Sequence, residues 1–164
     1  MYERKIKNLS IVYVLLAALV FIIVSGLRRG IGDTGMYMHS YRLMVQDPSS
    51  ADFSRDVGFT ALSFILSQIS SNPQTLIFVV ALITNGLNIA MLYKYKSYLE
   101  LQLYLYMASG YFTVTMNGIR QCLAAALVFV CNKFIVNGDF KKYLIFVLLI
   151  SLFHGSALIM IPIY

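Results

Sequence analysis

Five stretches of the chain are long and apolar enough to need something other than water around them. Residues 9–27, 75–93, 98–116, 117–136 and 143–164 run 19 to 22 residues each, and the third is less apolar and interrupted by Gly110. About 20 apolar residues in a helix cover the roughly 30 Å hydrocarbon layer of a membrane. A segment surrounded by lipid must satisfy its own backbone hydrogen bonds, so each run is expected as an α-helix.

Composition supports the same class, with 59% hydrophobic and 12% charged residues over 164 positions. No soluble core of this length needs that much apolar surface. The expectation is an all-α, polytopic membrane protein, a single membrane domain over 1–164. It has about five transmembrane helices and an outer interfacial amphipathic helix over 58–71. The net charge of +6 sits beside the apolar runs, where basic residues set topology and do not recruit nucleic acid.

Arg4, Lys5 and Lys7 precede the first run as in a signal peptide, but that run is long and ends in Ser25-Gly26-Leu27-Arg28-Arg29 without an Ala-x-Ala site. It reads as an uncleaved first helix. Residues 28–57 form the longest polar segment, with four Arg and four Asp, three glycines and Pro48. In 58–71, Phe59, Leu62, Ile65, Leu66 and Ile69 share one helical face. Its apolar part is about 18 Å long, too short to span.

Basic residues favour the cytoplasmic side. With 58–71 lying in the interface, Lys94, Lys96, Lys133, Lys141 and Lys142 join Arg4, Lys5 and Lys7 inside, eight of the thirteen basic residues. The N-terminus is then cytoplasmic, and both the 28–57 loop and the start of the fourth run face outward.

That start reads Asn117-Gly118-Ile119-Arg120-Gln121. An Arg at the mouth of a membrane helix is expensive, roughly 3 kcal/mol at the bilayer centre, so it is a functional candidate. Asn117, Arg120, Gln121 and Ala124 follow i, i+3, i+4, i+7 spacing and are expected to face one cavity. A guanidinium binds phosphate oxygens in pairs; the plainer reading is an interfacial anchor.

Arg28, Arg29, Asp33 and Tyr37 follow the first helix. Two adjacent Arg can clamp phosphate while Asp33 serves as general base, or the group anchors the interface. His154 falls eleven or twelve residues into the last run, about 17 Å along a helix axis. It is either a general base or a helix-packing hydrogen bond. Asp56 reads first as a helix cap, and Thr84, Asn85 and Asn88 as interhelical glue.

Cys122 and Cys131, nine residues apart on one helix, cannot bridge. There is no CxxC, no HExxH and no paired histidine ligand, since His39 and His154 are far apart. No metal site and no cofactor is expected. Ser156 and His154 stand two apart, which disfavours an intramembrane protease.

Four motifs taken in order carry a resemblance. They are Arg28-Arg29-Gly30-Ile31-Gly32-Asp33-Thr34-Gly35-Met36-Tyr37, Asp56-Val57-Gly58-Phe59, Asn117-Gly118-Ile119-Arg120-Gln121, and Leu152-Phe153-His154-Gly155-Ser156-Ala157-Leu158 before Ile161-Pro162. The chain resembles the N-terminal portion of the EpsG family of bacterial exopolysaccharide polymerases, related to the Wzy-like O-antigen polymerases with their GT-C-like architecture. The resemblance implies a glycosyltransferase-type polymerase in the bacterial cytoplasmic membrane, working in exopolysaccharide, capsule or biofilm synthesis. It would join repeat units carried on undecaprenyl diphosphate at the outer leaflet.

By the resemblance, Arg120 with Arg28 or Arg29 holds the departing diphosphate, and Asp33 or His154 activates the acceptor. Tyr37, Asn117 and Gln121 bind substrate, and other polysaccharide-assembly membrane proteins are partners. Family members commonly carry Glu where this chain has Asp56 and are longer, so the chain reads as a fragment with part of the cavity elsewhere. The competing expectation is a non-enzymatic export or flippase component whose arginines guide an anionic lipid.

Overall fold

The computed structural model describes residues 2–95 and 98–164, with side chains from residue 11 onward. Arg4, Lys5, Lys7 and Lys96, on which part of the topology rests, lie outside the described residues and side chains. Among the described residues the chain is all-helical: α1 (Tyr2–Gly26), α2 (Thr34–Gln46), α3 (Val57–Ile69), α4 (Gln74–Lys94), α5 (Leu99–Ala108), α6 (Tyr111–Val114), α7 (Ile119–Val136) and α8 (Phe140–Ser151). Short 3-10 segments occupy Pro48–Ser50 and Gly155–Ile163.

The helices start and stop where local chemistry directs. Pro73 opens α4, where its missing N–H is harmless, and Asn72 Oδ1 accepts from Gln74 N at 3.0 Å. At the end of α7, Gly138 takes φ +71°. Its N–H donates to Ile135 O, and Asp139 N donates to Phe134 O at 2.8 Å, the paired bonds of a Schellman ending.

Packing runs α1 on α4, α4 on α7, α7 on α8, with α2 laid over α3 and α4. The polarity is inverted relative to a water-soluble protein. Leu15, Leu16, Leu19, Val20 and Val24 of α1 are exposed, whereas Ser25, Thr84, Asn85 and Asn88 are buried. Asn85 Nδ2 donates to Ser25 Oγ at 2.9 Å, and Tyr106 Oη donates to Asn85 Oδ1 at 2.8 Å. This joins α1, α4 and α5, the gluing role expected of the α4 polar stripe.

Among the described residues two helices, α4 and α7, are long and apolar enough to cross a membrane. The count of five spans is not confirmed: the apolar part of the 25-residue α1 is described only from Ile11, and two other runs are broken. The 98–116 run divides at Ser109 and Gly110, which adopts φ +80°, into a ten-residue α5 and a four-residue α6. Ten residues reach only about 15 Å.

The 143–164 run also breaks. In a continuing helix Leu152 O would accept from Ser156 N; here it accepts from Gly58 N at 2.8 Å. Helix α8 therefore ends at Ser151 and the chain continues as the 3-10 segment. The interfacial helix expected over 58–71 matches α3 in extent.

Candidate functional site

The beginnings of α2, α3 and α7 meet the end of α8 at one polar junction. Asp33 precedes α2 and Gly118, at φ +61°, precedes α7. Asp33 Oδ2 accepts from Gly118 N at 3.0 Å while Asp33 N donates to Asn117 Oδ1 at 3.3 Å. The two helix starts are stitched reciprocally, satisfying backbone donors that a helix leaves orphaned. Gly32 is required beside them, because a Cβ there would collide with Asn117 Oδ1.

This stitching delivers Arg120, one residue into α7, against Tyr37, one turn into α2. Arg120 Nε donates to Tyr37 Oη at 3.0 Å, and the guanidinium lies 5.5 Å from the centre of the Tyr37 ring. Burial pushes the Tyr37 phenol above its ordinary value, and Arg120 pulls it partly back. The phenol therefore stays protonated near neutral pH and is a fixed dipole beside the charge.

The counter-charge is Asp56. Arg120 Nη1 donates to Asp56 Oδ2 at 2.7 Å. His154 Nδ1 lies 3.4 Å from the same oxygen. Asp56 stands at the cap position of α3 yet makes no side-chain cap bond. The cap expected from sequence is corrected: its carboxylate faces Arg120 and His154 instead.

Asp56 is also the one non-glycine residue with positive φ among the described residues, at φ 47°. That conformation costs roughly 1–3 kcal/mol and accumulates at functional sites. The neighbouring Gly58 explains how His154 is brought in. A Cβ on Gly58 would lie 3.2 Å from Leu152 O and from Phe153 Cδ2, so glycine permits the close approach of α3 to the end of α8.

His154 is therefore not buried inside a continuous helix. It sits in extended backbone at the break after α8, its side chain 31% exposed. The opening from Ser151 to Gly155 turns the imidazole toward Asp56.

The other expected site residues divide. Arg28 is buried: its Nε donates to Thr34 Oγ1 at 3.0 Å and its Nη1 to Ser25 O. Burial lowers the pKa of its guanidinium, and the nearby Asp33 charge works against that shift. Arg29 is exposed, so the adjacent pair does not form one clamp. Gln121 and Ala124 line a groove against Ser156 and Ala157, whereas Arg120 lines a cavity against α2 and α3. The shared face expected for Asn117, Arg120, Gln121 and Ala124 is corrected too, because Asn117 lies in the turn before α7.

Sequence reasoning underweighted Asp56, the residue linking Arg120 to His154. The available signal was the charge itself, since an Arg at a membrane-helix mouth demands a nearby anion. Cys122 and Cys131 are buried free thiols.

The pattern of the EpsG family matches residues 11–164, a range that contains all four of these sites. The chain belongs to the EpsG family. Comparisons with curated proteins and with solved structures returned no match. In this EpsG-family chain, all four motifs converge on the junction: Asp33 and Tyr37, Asp56, Arg120, and His154. Family membership and the apolar helices α4 and α7 together point to a membrane protein with a polysaccharide-synthesis role at family level.

Proposed function

We propose that the chain holds the lipid-linked donor in a polysaccharide polymerase of the bacterial cytoplasmic membrane. It is multi-pass, with its N-terminus inside and the Arg120 junction at the outer leaflet. The substrates are glycans carried on a polyprenyl diphosphate, undecaprenyl diphosphate in the family's manner. A hydroxyl of the incoming lipid-linked unit attacks the anomeric carbon of the growing chain. The bond from that carbon to the diphosphate oxygen breaks, and the diphosphate leaves on its lipid.

The observation that carries this reading is the incomplete saturation of Arg120. A guanidinium has five N–H donors; one is held by Tyr37 and one by Asp56, leaving three. Its side chain is 34% exposed. It is thus aimed by two partners and still able to take diphosphate oxygens in pairs, the arrangement that stabilises charge developing on a leaving group.

His154 supplies the proton acceptor. A neutral imidazole donating Nδ1–H to Asp56 keeps Nε2 as an acceptor, and Asp56 stabilises the imidazolium once the hydroxyl proton has moved. Asp33 Oδ2 accepts from Gly118 N and its Oδ1 is buried without a partner; in this reading Asp33 positions the start of α7 and His154 takes the proton.

Arg120→Ala in the full-length protein is the direct test. We expect polymer to fall at least about 100-fold, the usual consequence of losing a charge-stabilising donor, while the protein still inserts. An unchanged chain-length distribution on a polysaccharide gel would overturn the reading. Purified protein given lipid-linked repeat units separates it from a flippase role, since only an enzyme makes longer chains.

A further inference from the structure

On one side of Arg120, away from His154, lies a cavity of about 300 Å³ between α2, α3 and the segment just before α3. Its size is at the lower end of the roughly 300–1,000 Å³ typical of small-molecule sites, fitting one ring better than a chain. We propose that this cavity is a saccharide subsite that seats one neutral pyranose of the lipid-linked unit, next to the diphosphate on Arg120. The proposal rests on the polymerase reading for which sugar arrives there, but the cavity's chemistry stands by itself.

Its floor is aromatic. Tyr37 and Phe59 meet edge to face at 5.5 Å, and Tyr41 is fully buried beside them, its hydroxyl turned away to donate to Ser70 O. Tyr37 and Phe59 keep a small exposed part that can meet the C–H side of a pyranose, with Tyr41 packed beneath them.

Its rim is polar and unspent. Ser63 is 3% exposed, and its hydroxyl donates to Phe59 O, which leaves its oxygen lone pairs to accept. Asp52 Oδ1 accepts from Ser54 N at 2.9 Å and the carboxylate also takes a bond from the Ser54 side chain, which leaves the rest of its lone-pair sites open at an exposed position. Arg55 lines the same cavity and, among the described residues, has no hydrogen bond or ion pair; only the Asp52 charge acts on it at longer range.

One acceptor carboxylate and one donor guanidinium on the same rim match the alternating donors and acceptors of neighbouring sugar hydroxyls. Arg120, the third charge on this lining, is paired with Asp56, and the charges of Asp52 and Arg55 offset one another. That balance favours a neutral sugar over an acidic one, which would be drawn to an excess of positive charge.

The test uses the detergent-solubilised full chain and the methyl glycosides of glucose, galactose and N-acetylglucosamine, read by saturation-transfer NMR. At least one should receive saturation from the wild type. Asp52→Asn and Arg55→Gln should each weaken it about tenfold, the equivalent of one hydrogen bond to a charged group.

Asn at 52 can still accept from Ser54 N, and Arg55 is exposed, so both variants are expected to fold; an unchanged helical circular dichroism spectrum checks this. Ser63→Ala should weaken binding a few-fold. No transfer to any glycoside, or transfer unchanged in the folded Asp52 and Arg55 variants, overturns the subsite. Because no diphosphate is present, the outcome is separate from that of Arg120→Ala. Glycosides that bind alongside an inert Arg120 substitution would defeat the polymerase reading and leave the subsite standing.

Discussion

Two polar clusters sit in this molecule, one buried and one half-exposed, and they behave as opposites. Around Asn85, the groups turn on one another: Ser25, Asn85, Asn88 and Tyr106 exchange hydrogen bonds across α1, α4 and α5. Around Arg120, the partners aim a side chain and leave part of it unspent. The first cluster also carries no formal charge, whereas the second concentrates Arg, Asp and His at one oxygen. A network that closes on itself holds helices together; one that stays open and charged can receive a ligand.

Asp56 is where the contrast breaks most sharply. Asp56→Ala should reduce polymer about 100-fold, since it frees Arg120 from its aim and His154 from its orienting partner. Asp56→Glu keeps the charge and should recover part of the loss. Equal defects in the two variants on a polysaccharide gel would show that the backbone at position 56, and not its carboxylate, matters.

Asn85→Leu should do the reverse. It removes the centre of the closed network and should cost about 1–2 kcal/mol of stability, seen as a lower melting temperature in detergent. Polymer made per folded molecule should not change. A specific loss of polymer at unaltered stability would erase the distinction between the clusters.

Tyr37→Phe sharpens the comparison on the smallest scale. The ring still lies beside the guanidinium, but the Nε bond is lost, and a drop of about tenfold in polymer is expected for one hydrogen bond to a charged group. The effect should appear at saturating substrate if Tyr37 serves the reacting geometry, and only at limiting substrate if it serves binding alone.

What could be read from the chain follows the range of the forces involved. Helices α4 and α7 were legible because an apolar run of sufficient length has one solution in lipid. The extent of α3 and the gluing role of Asn85 were legible for similarly local reasons.

The break after α8 was not, because Leu152 O is taken by Gly58 N from 94 positions away, and no property of residues 143–164 announces it. Asp56 was misjudged on the same ground: an Asp ahead of a helix is ordinarily its cap, and only the fold shows which way the carboxylate turns. Likewise the spacing of Arg120 and Gln121 suggested a shared cavity, and only the placement of α2 and the 3-10 segment separated them.

The Asp56 and Arg120 pair also has a direction in time. The carboxylate lies 64 positions ahead of the guanidinium and 98 ahead of the imidazole, so synthesis produces the anion first. A charged side chain entering the bilayer alone costs roughly 3 kcal/mol. Arg120 thus follows its counter-ion along the chain, and a guanidinium that would be costly alone has a carboxylate already made to pair with. His154 comes last, so the imidazole joins a pair whose two members both precede it.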